Sequence, residues 1–485
     1  MNEILERALG AAKTGGAAFA EARIVRTRHQ SIEMKNGVPT VVESQSEGLG
    51  VRAFVSVSGG RLVSGFASTF SLARSAAERA AKEAVRIAKA SALTPLAGVR
   101  LDDSPAEKGE YRTPVARDPF SVDLAEKLER LHRAAELMRK DHRVKVSQAF
   151  FVCHSDEKLF ASTEGADISQ TIVHTGGGIA ATAVDAGEVQ VRSYPNSFRG
   201  NFRTAGFEYF ESLQLEREAP RVAEEAVALL SAPLCPEGRR DIILEGGQLA
   251  LQVHESCGHP IELDRVLGTE ASYAGTSFLT TDKLGTFRYG SEKVNIVADA
   301  TVPGGLGSFG WDDEGVRAQR VPIIKEGVFV GYISGRESAP ALGLRSTGAA
   351  RADGWNRLPL VRMTNINLEP GEWSLAELLA DTEGGLFLAT NRSWSIDDRR
   401  LNFQFATEAA WEIRGGRLAR LYRNPTYTGI TPEFWASCDA VASRDHWELW
   451  GTPNCGKGEP PQTMYVGHGA SPARFRGVRV GLVKE

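Results

Sequence analysis

Cysteine is scarce in this chain, with five in 485 residues. Cys153, Cys235, Cys257, Cys438 and Cys455 are scattered and odd in number, which argues against a disulfide scaffold and fits a reducing cytoplasm. In such a compartment a single cysteine is of interest as a ligand or nucleophile. No stretch approaches the ~18 consecutive apolar residues that a membrane helix needs. The opening MNEILERALGAAKTGG carries acidic residues early and lacks the apolar run of roughly 7–15 residues of a secretory signal. A cytoplasmic location without a membrane partner is expected. Basic excess is also absent: Lys and Arg total 57 against 61 Asp and Glu, a formal net charge of -4. Nothing therefore favours nucleic acid electrostatically. Arg23, Arg26 and Arg28 alternate with other residues and read as a solvated strand face. No repeat of fixed period and no low-complexity tract stands out.

What is present is an ordinary globular composition, 42% hydrophobic and 24% charged, long enough for two or three domains at roughly 100–200 residues each. The pattern is α+β. Ile4, Leu5, Leu9 and Ala12 mark a short amphipathic helix. Alternating runs at 20–24, 38–42 and 49–55 follow, with turn signals at Asn36-Gly37 and Gly59-Gly60, and predict an antiparallel meander. Helices are expected from about Ser71 to Lys89, Val122 to Lys140 and Arg221 to Leu230. Residues 94–118 read as a connector, and Gly176-Gly177-Gly178 as a break between strands. Pro233, Pro236 and Gly238 suggest a boundary. We therefore divide the chain into an N-terminal α+β region, 1–235, with subregions of about 1–93 and 119–235, and a β-rich region, 236–485. The second begins with a strand at Asp241–Leu244 and a helix from Gln248 to Cys257. Beyond it long helices are nearly absent, Ser374 to Asp381 being a short exception.

The string Gln252-Val253-His254-Glu255-Ser256-Cys257-Gly258-His259-Pro260 carries the chemistry. Two imidazoles suit zinc, and an adjacent carboxylate suits proton transfer from an activated water. The spacing departs from H-E-x-x-H, because the histidines lie five apart. Five steps of about 100° leave the rings roughly 140° apart on a regular helix. The backbone must therefore distort, either as a wide i→i+5 turn or as a helix ending at Cys257, and Gly258 and Pro260 suit both. A third protein ligand is required. Nearby candidates are Cys257, Glu262, Asp264 and Glu270; distant ones are Cys455, His446 and His468. Cys455 lies in Pro453-Asn454-Cys455-Gly456-Lys457-Gly458, where the glycines allow close backbone approach and Lys457 would favour a thiolate.

These residues resemble a known family. HESCGHPIELD resembles the signature of the TldD/PmbA metallopeptidases, TldD branch. Gly310-Trp311-Asp312-Asp313-Glu314-Gly315, Arg362-Met363-Thr364-Asn365, Asn454-Cys455-Gly456-Lys457-Gly458 and Val466-Gly467-His468-Gly469 recur in family order. Ser256-Cys257 is a departure, since small residues such as alanine are commoner there. The resemblance implies one zinc ion per chain held by His254, His259 and Cys455, with Glu255 as general base. It also implies the catalytic rather than the zinc-free branch. An unfolded or leader-bearing peptide, extended against a sheet, is the implied substrate. The implied partner is a non-catalytic TldE/PmbA-type paralogue in a heteromer, with a homodimer as the alternative. His468, Asn454 and Lys457 are candidates for contacting substrate or oxyanion. The Asp312–Gly315 run would bind a substrate N-terminus or a partner, or form a charged turn. Two rival functions are carried forward: a binding subunit with a closed structural zinc, and a cysteine hydrolase pairing Cys455 with His446 or His468.

Overall fold

The computed structural model describes residues 2–94 and 98–481. Helix α1 (Glu3–Thr14) is capped by Asn2, whose side chain accepts from the Ile4 N–H at 2.9 Å. It buries Leu5, Ala8, Leu9 and Ala12, one stripe of a 3.6-residue period. Strands β1 (Phe19–Lys35), β2 (Val38–Val57) and β3 (Arg61–Thr69) form the expected meander, and α2 (Arg74–Ser91) crosses it. An alanine face on α2 lets that helix lie very close: a Cβ on Gly65 of β3 would meet the Ala84 carbonyl at 2.2 Å. There follow β4 (Lys108–Arg112), α3 (Leu124–Met138), β5 (Val144–Ser162), β6 (Asp167–Asp185), β7 (Glu188–Tyr194), β8 (Asn201–Arg203), α4 (Phe207–Ser212) and α5 (Leu215–Ser231).

All eight strands make one sheet, in the order β3-β2-β1-β5-β6-β4, with β7 and β8 also paired to β6. It runs through both N-terminal subregions. Ile24 and Ile32 lie on one face of β1; the first packs with α1 and α2, the second with α3 and α5 around Phe151, Phe207 and Phe210. Where β1 and β2 pair around Glu21, Arg23 and Arg52, the opposite face is buried against the second half of the chain. Arg23 is thus a buried residue, not part of a solvated face: it donates to the Asp313, Gly354 and Arg357 carbonyls. Two further expectations are corrected. Residues 94–118 contain β4, which pairs parallel with β6. Gly176–Gly178 interrupt nothing, because β6 runs through them. They are small because neighbours press on them: a Cβ on Gly178 would meet the Gly200 Cα at 2.5 Å, one on Gly176 the Asn201 carbonyl at 2.2 Å, and one on Gly177 the Phe150 carbonyl at 2.2 Å. Helix α5 also starts earlier than expected and contains Pro220.

The second half opens with β9 (Gly238–Leu244) and α6 (Gly246–Val253), followed by α7 (Leu263–Val266). Then come β10 (Ile296–Asp299), β11 (Arg320–Lys325), β12 (Val328–Phe329), β13 (Ala350–Arg351), β14 (Leu360–Val361), β15 (Ile366–Leu368) and α8 (Leu375–Ala380). Strands β16 (Leu386–Ile396), β17 (Asn402–Arg414), β18 (Arg417–Tyr422) and β19 (Thr426–Ile430) precede α9 (Thr431–Ala436), and β20 (Cys438–Val441), β21 (Glu448–Lys457), β22 (Gln462–Ala470) and β23 (Ala473–Val480) complete the chain. Pairing in the order β16-β9-β23-β19-β17 is closed by a β17–β16 ladder, so these five strands form a ring. Beside it stand a four-stranded sheet (β12-β11-β10-β15) and the β21–β22 hairpin. The one expected late helix, α8, has a capping box between Ser374 and Glu377.

Charged residues fasten the two halves together. In the turn at Asp312–Gly315, Asp312 accepts from the Glu314, Val316 and Ala350 N–H groups. Asp313 pairs with Lys158 of β5 at 3.1 Å, and Glu314 with Arg52 of β2 at 3.3 Å. The run is thus a buried internal turn bound to the N-terminal sheet. Glu21 stands beside Arg52 in this cluster, at 3.9 Å. Burial, partly offset by Arg52 and reinforced by Glu314, lifts its pKa from 4.5 to about 7. Between those values the folded state binds a proton that the unfolded chain releases. This group therefore favours folding at the acid end, and the benefit is lost as pH rises through about 7. Glu21→Gln is expected to flatten that part of the stability profile. Melting temperatures from pH 4.5 to 8 check it; identical slopes in the variant and wild type would contradict the assignment.

Candidate metal centre

Helix α6 follows β9 directly. Its N-terminus is capped by Glu245, whose carboxylate accepts from Gly247 N–H at 2.9 Å and Gln248 N–H at 3.2 Å. Beneath it, Tyr427 Oη accepts from Gln248 Nε2 and donates to Gln252 Oε1, at 2.8 and 2.9 Å. At His254 the helix widens. Residues His254–Gly258 form a π turn, in which the His259 N–H donates to the His254 carbonyl, and a 3₁₀ turn over His259–Ile261 ends the segment. Of the two distortions open from the spacing, the chain adopts the wide i→i+5 turn. It brings the imidazole centroids to 4.9 Å, with planes at 89°.

Several neighbours hold this turn. The Ser256 hydroxyl donates to the Gln252 carbonyl and accepts from Trp435 Nε1 at 2.9 Å, while Tyr289 Oη donates to the Ser256 carbonyl at 3.1 Å. Ser256 thus anchors the distortion. Gly258 is required sterically, since a Cβ there would lie 2.1 Å from Met363 Sδ.

Cys455, on β21, completes a cluster. Its Sγ lies 3.5 Å from His254 Nε2 and 3.8 Å from His259 Nε2, and the three donor atoms fall within 4.8 Å of one another. Tetrahedral zinc, with bonds of ~2.3 Å to sulfur and ~2.05 Å to nitrogen, separates those atoms by roughly 3.6 Å. The two sulfur–nitrogen distances therefore match what the ion needs, and a thiolate with two imidazoles is a borderline-soft set suited to zinc.

Hydrogen bonds behind the ligands prepare them. His468 Nδ1 lies 3.2 Å from the Ile366 carbonyl, which can only accept, so His468 Nε2 is left as an acceptor. It stands 2.8 Å from His254 Nδ1, so His254 donates there and keeps the Nε2 lone pair facing Cys455. Burial and the neighbouring His254 hold His468 well below the usual histidine pKa. On the other ligand, His259 Nδ1 faces Glu262 Oε2 at 3.1 Å. Glu262 in turn meets Lys457 Nζ at 3.3 Å and accepts from Met363 N–H at 3.2 Å. Burial alone would raise the Cys455 pKa, but His254, His259 and Arg362 outweigh it and hold the thiol well below its ordinary range. Burial lowers His259, but the Cys455 thiolate and Glu262 outweigh it and lift the pKa to about 9. Both shifts favour a thiolate beside an imidazolium, whose proton a bound metal would replace.

The remaining candidates are placed as follows. Cys257 is fully buried away from the cluster, its pKa pushed up to about 12 by burial. Asp264 pairs with Lys457, and Glu270 with Arg265. Lys457 is buried and occupied by Glu262, Asp264 and the Val361 carbonyl. His468 is fully buried behind His254. His446 accepts from the Leu375 N–H at the start of α8. Asn454 alone of the three contact candidates lines the open cleft beside the cluster.

That cleft, about 300 Å³, is bounded by His254, Glu255, His259 and Cys455 on one side and by Phe198, Asn391, Trp394 and Arg400 on the others. The last four were not legible in sequence, because Asn391 and Trp394 lie on β16 and Phe198 and Arg400 in loops, none within a distinctive local motif. Glu255 is buried, yet its Oε2 accepts from Arg400 Nη1 at 2.6 Å. Burial would raise its pKa, but His254, His259, Arg400 and Trp394 together keep it below the usual range. A carboxylate, three potential metal donors and an open wall are thus assembled at one place, an arrangement that would suit hydrolysis with a single metal ion.

Comparison with known proteins agrees. The family profiles of PmbA/TldA metallopeptidase domain 1, central domain and C-terminal domain match residues 20–88, 117–232 and 237–481. Metalloprotease MJ0996 of Methanocaldococcus jannaschii is 31% identical over 462 residues, covering 94% of this chain and 95% of that protein. A metalloprotease TldD homolog of Haemophilus influenzae is 29% identical over 74% of this chain and 73% of its own length. Among solved structures, a candidate modulator of a DNA gyrase from Thermotoga maritima shares the fold with a TM-score of 0.77, at 20% identity and 99% coverage of both chains. TldE from Thermococcus kodakarensis does so at 0.73 and 16% identity, covering 99% of this chain and 100% of that one. The protein is a metallopeptidase. It belongs to the PmbA/TldD family.

Removing the His468 acceptor leaves His254 free to rotate and to change tautomer. His468→Ala is expected to weaken zinc binding by about 10–100-fold with the fold retained. Competition with a fluorescent chelator measures this; wild-type affinity would show that the hydrogen bond does not orient the ligand.

Proposed function

We propose that this metallopeptidase is a zinc peptidase that cleaves extended, unfolded or leader-bearing peptides, with one zinc per chain held by His254, His259 and Cys455 and Glu255 as general base. The observation that carries the reading is the convergence of the three donors beside a carboxylate that is not one of them, all open to the cleft. A structural site would be closed by four protein ligands; among the described residues only three converge here. One relative, from Saccharolobus solfataricus, is named as a zinc metalloprotease TldD homolog.

Bound there, zinc supplies acidity to a water molecule and polarises a carbonyl. The chain's own residues do the rest. Glu255 takes a proton from the attacking water and later returns it to the leaving amine. Arg400 holds that carboxylate at 2.6 Å. Cleft walls from both halves of the chain, Phe198 on one side and Trp394 on the other, meet edge to face at 5.2 Å. The β21 ladder to β22 shifts register between Thr452 and Cys455, at residues that line the cleft. A backbone edge beside the metal donors suits an extended peptide bound through main-chain hydrogen bonds, with little demand on sequence. The proposed partner is a non-catalytic TldE/PmbA-type paralogue, supported by the fold shared with TldE; a homodimer is the alternative assembly. No helix among the described residues is long and apolar enough to cross a membrane, and the net charge of -4 gives no reason to propose nucleic acid as a partner.

The test combines metal analysis with hydrolysis of unfolded peptides, with and without chelator and with the paralogue present. Chelation is expected to abolish cleavage and added zinc to restore it. Glu255→Gln is expected to retain one zinc per chain and lose turnover. Chelator-resistant activity, or full activity in Glu255→Gln, would overturn the proposal.

A further inference from the structure

Arg400 occupies the short turn between β16 and β17, and the turn is rigid. Its backbone sits at φ 65°, a left-handed conformation unusual for a residue with a side chain. The Asp397 carboxylate accepts from the Leu401 and Asn402 N–H groups at 2.8 and 3.0 Å, and Thr431 Oγ1 donates to the Arg400 carbonyl at 2.9 Å. Arg265, itself buried, donates to the Asp398 carbonyl at 3.1 Å. Such over-determination of a strained turn points to a side chain that must be aimed. It is aimed into the cleft: Nη1 bonds to Glu255 Oε2, while the buried Nε–H has no partner.

Charge counting gives the side chain a task. Two neutral imidazoles and one thiolate leave a divalent ion with a net charge of about +1, less than an all-histidine site would keep. An oxyanion on a scissile carbonyl then has less positive charge to meet. Arg400 is the cation that the chain itself places at the cleft wall beside Glu255. In the resting state its charge is neutralised by Glu255.

We propose that Arg400 is a catalytic residue that stabilises the oxyanion. As the water oxygen bonds to the scissile carbon, the carbonyl π pair moves onto oxygen and the water's proton passes to Glu255. The guanidinium, aimed into the cleft with its Nε–H unpartnered, meets the new anion as it forms. When the C–N bond breaks, its electron pair leaves with the amine, which takes the proton back from Glu255. The carbonyl re-forms. Interaction is thus stronger in the transition state than in the ground state, which is what accelerates a reaction. This inference rests on the peptidase reading given above.

The experiment uses zinc-loaded protein with Arg400→Gln and Arg400→Lys. Three quantities are compared: kcat and KM for an unfolded peptide, zinc content, and calorimetric affinity for a phosphinic pseudopeptide and for the product peptide. The phosphinate carries a tetrahedral anionic centre; the product peptide is a ground-state ligand. In Arg400→Gln, kcat is expected to fall by about 10²–10³-fold, with KM and zinc content little changed. Affinity for the phosphinate should fall in step with kcat/KM, while product affinity stays. Arg400→Lys should recover part of both losses, because a charge returns without the planar fork. Full activity in Arg400→Gln, equal weakening of both ligands, or losses explained by missing zinc would overturn the role of Arg400 and leave the peptidase reading standing. A zinc-loaded wild type that cleaves no peptide would overturn both.

Discussion

The active region depends on one backbone distortion, the π turn between His254 and His259. Every other feature of the centre presupposes it. A regular helix turns five residues through about 500°, which sends the second ring away from the first. The wider turn brings both Nε2 atoms to within 4 Å of Cys455 Sγ, at 3.5 and 3.8 Å. π turns are intrinsically unfavourable and recur at functional sites. Here the distortion is held by contacts that a uniform helix would not need: the Ser256 hydroxyl, the Trp435 and Tyr289 side chains and the absence of a Cβ at Gly258.

Around that turn the protein arranges charge in alternating layers. The thiolate of Cys455 is flanked by imidazoles, His259 by Glu262, and Glu262 by Lys457, which also meets Asp264. Burying such groups singly would be costly, and in sequence each is offset by the next. Arg362 joins the same fabric: it donates to the Cys455 and Gln462 carbonyls and so ties β21 and β22 to the segment that follows β14. The cleft side carries the opposite arrangement, one carboxylate held by one guanidinium, and leaves room for a substrate. The buried side is thus committed to structure and the open side to chemistry.

Legibility from sequence followed the range of the interactions. The N-terminal meander, α1, α2 and α3 announced themselves through local periodicity and Asn-Gly or Gly-Gly turns, and the α+β reading holds. The strand through Gly176–Gly178 did not, because those glycines answer distant neighbours, Phe150, Phe210 and the segment Gly200 to Phe202, rather than a local bend. Arg23 looks like a solvated residue for the same reason: its carbonyl partners lie about 300 residues away in the chain. At the centre, a spacing of five between histidines was enough to require a distortion, though not to choose between two. Cys455 emerged from local sequence only as one candidate among several; the family resemblance singled it out. Lys457 and His468 were noticed for the right neighbourhood, yet both lie behind the ligands rather than toward substrate. Phe198, Trp394 and Arg400 carry no local signal, since a cleft wall is made by tertiary packing, here of two loops and strand β16.

X-ray absorption at the zinc edge tests the central claim most directly. The account predicts one sulfur at ~2.3 Å and two imidazole nitrogens at ~2.05 Å, with the remaining position filled by a light atom, and loss of the sulfur shell in Cys455→Ser. A bound zinc lacking any sulfur neighbour, or one whose coordination is unchanged by that substitution, would contradict it.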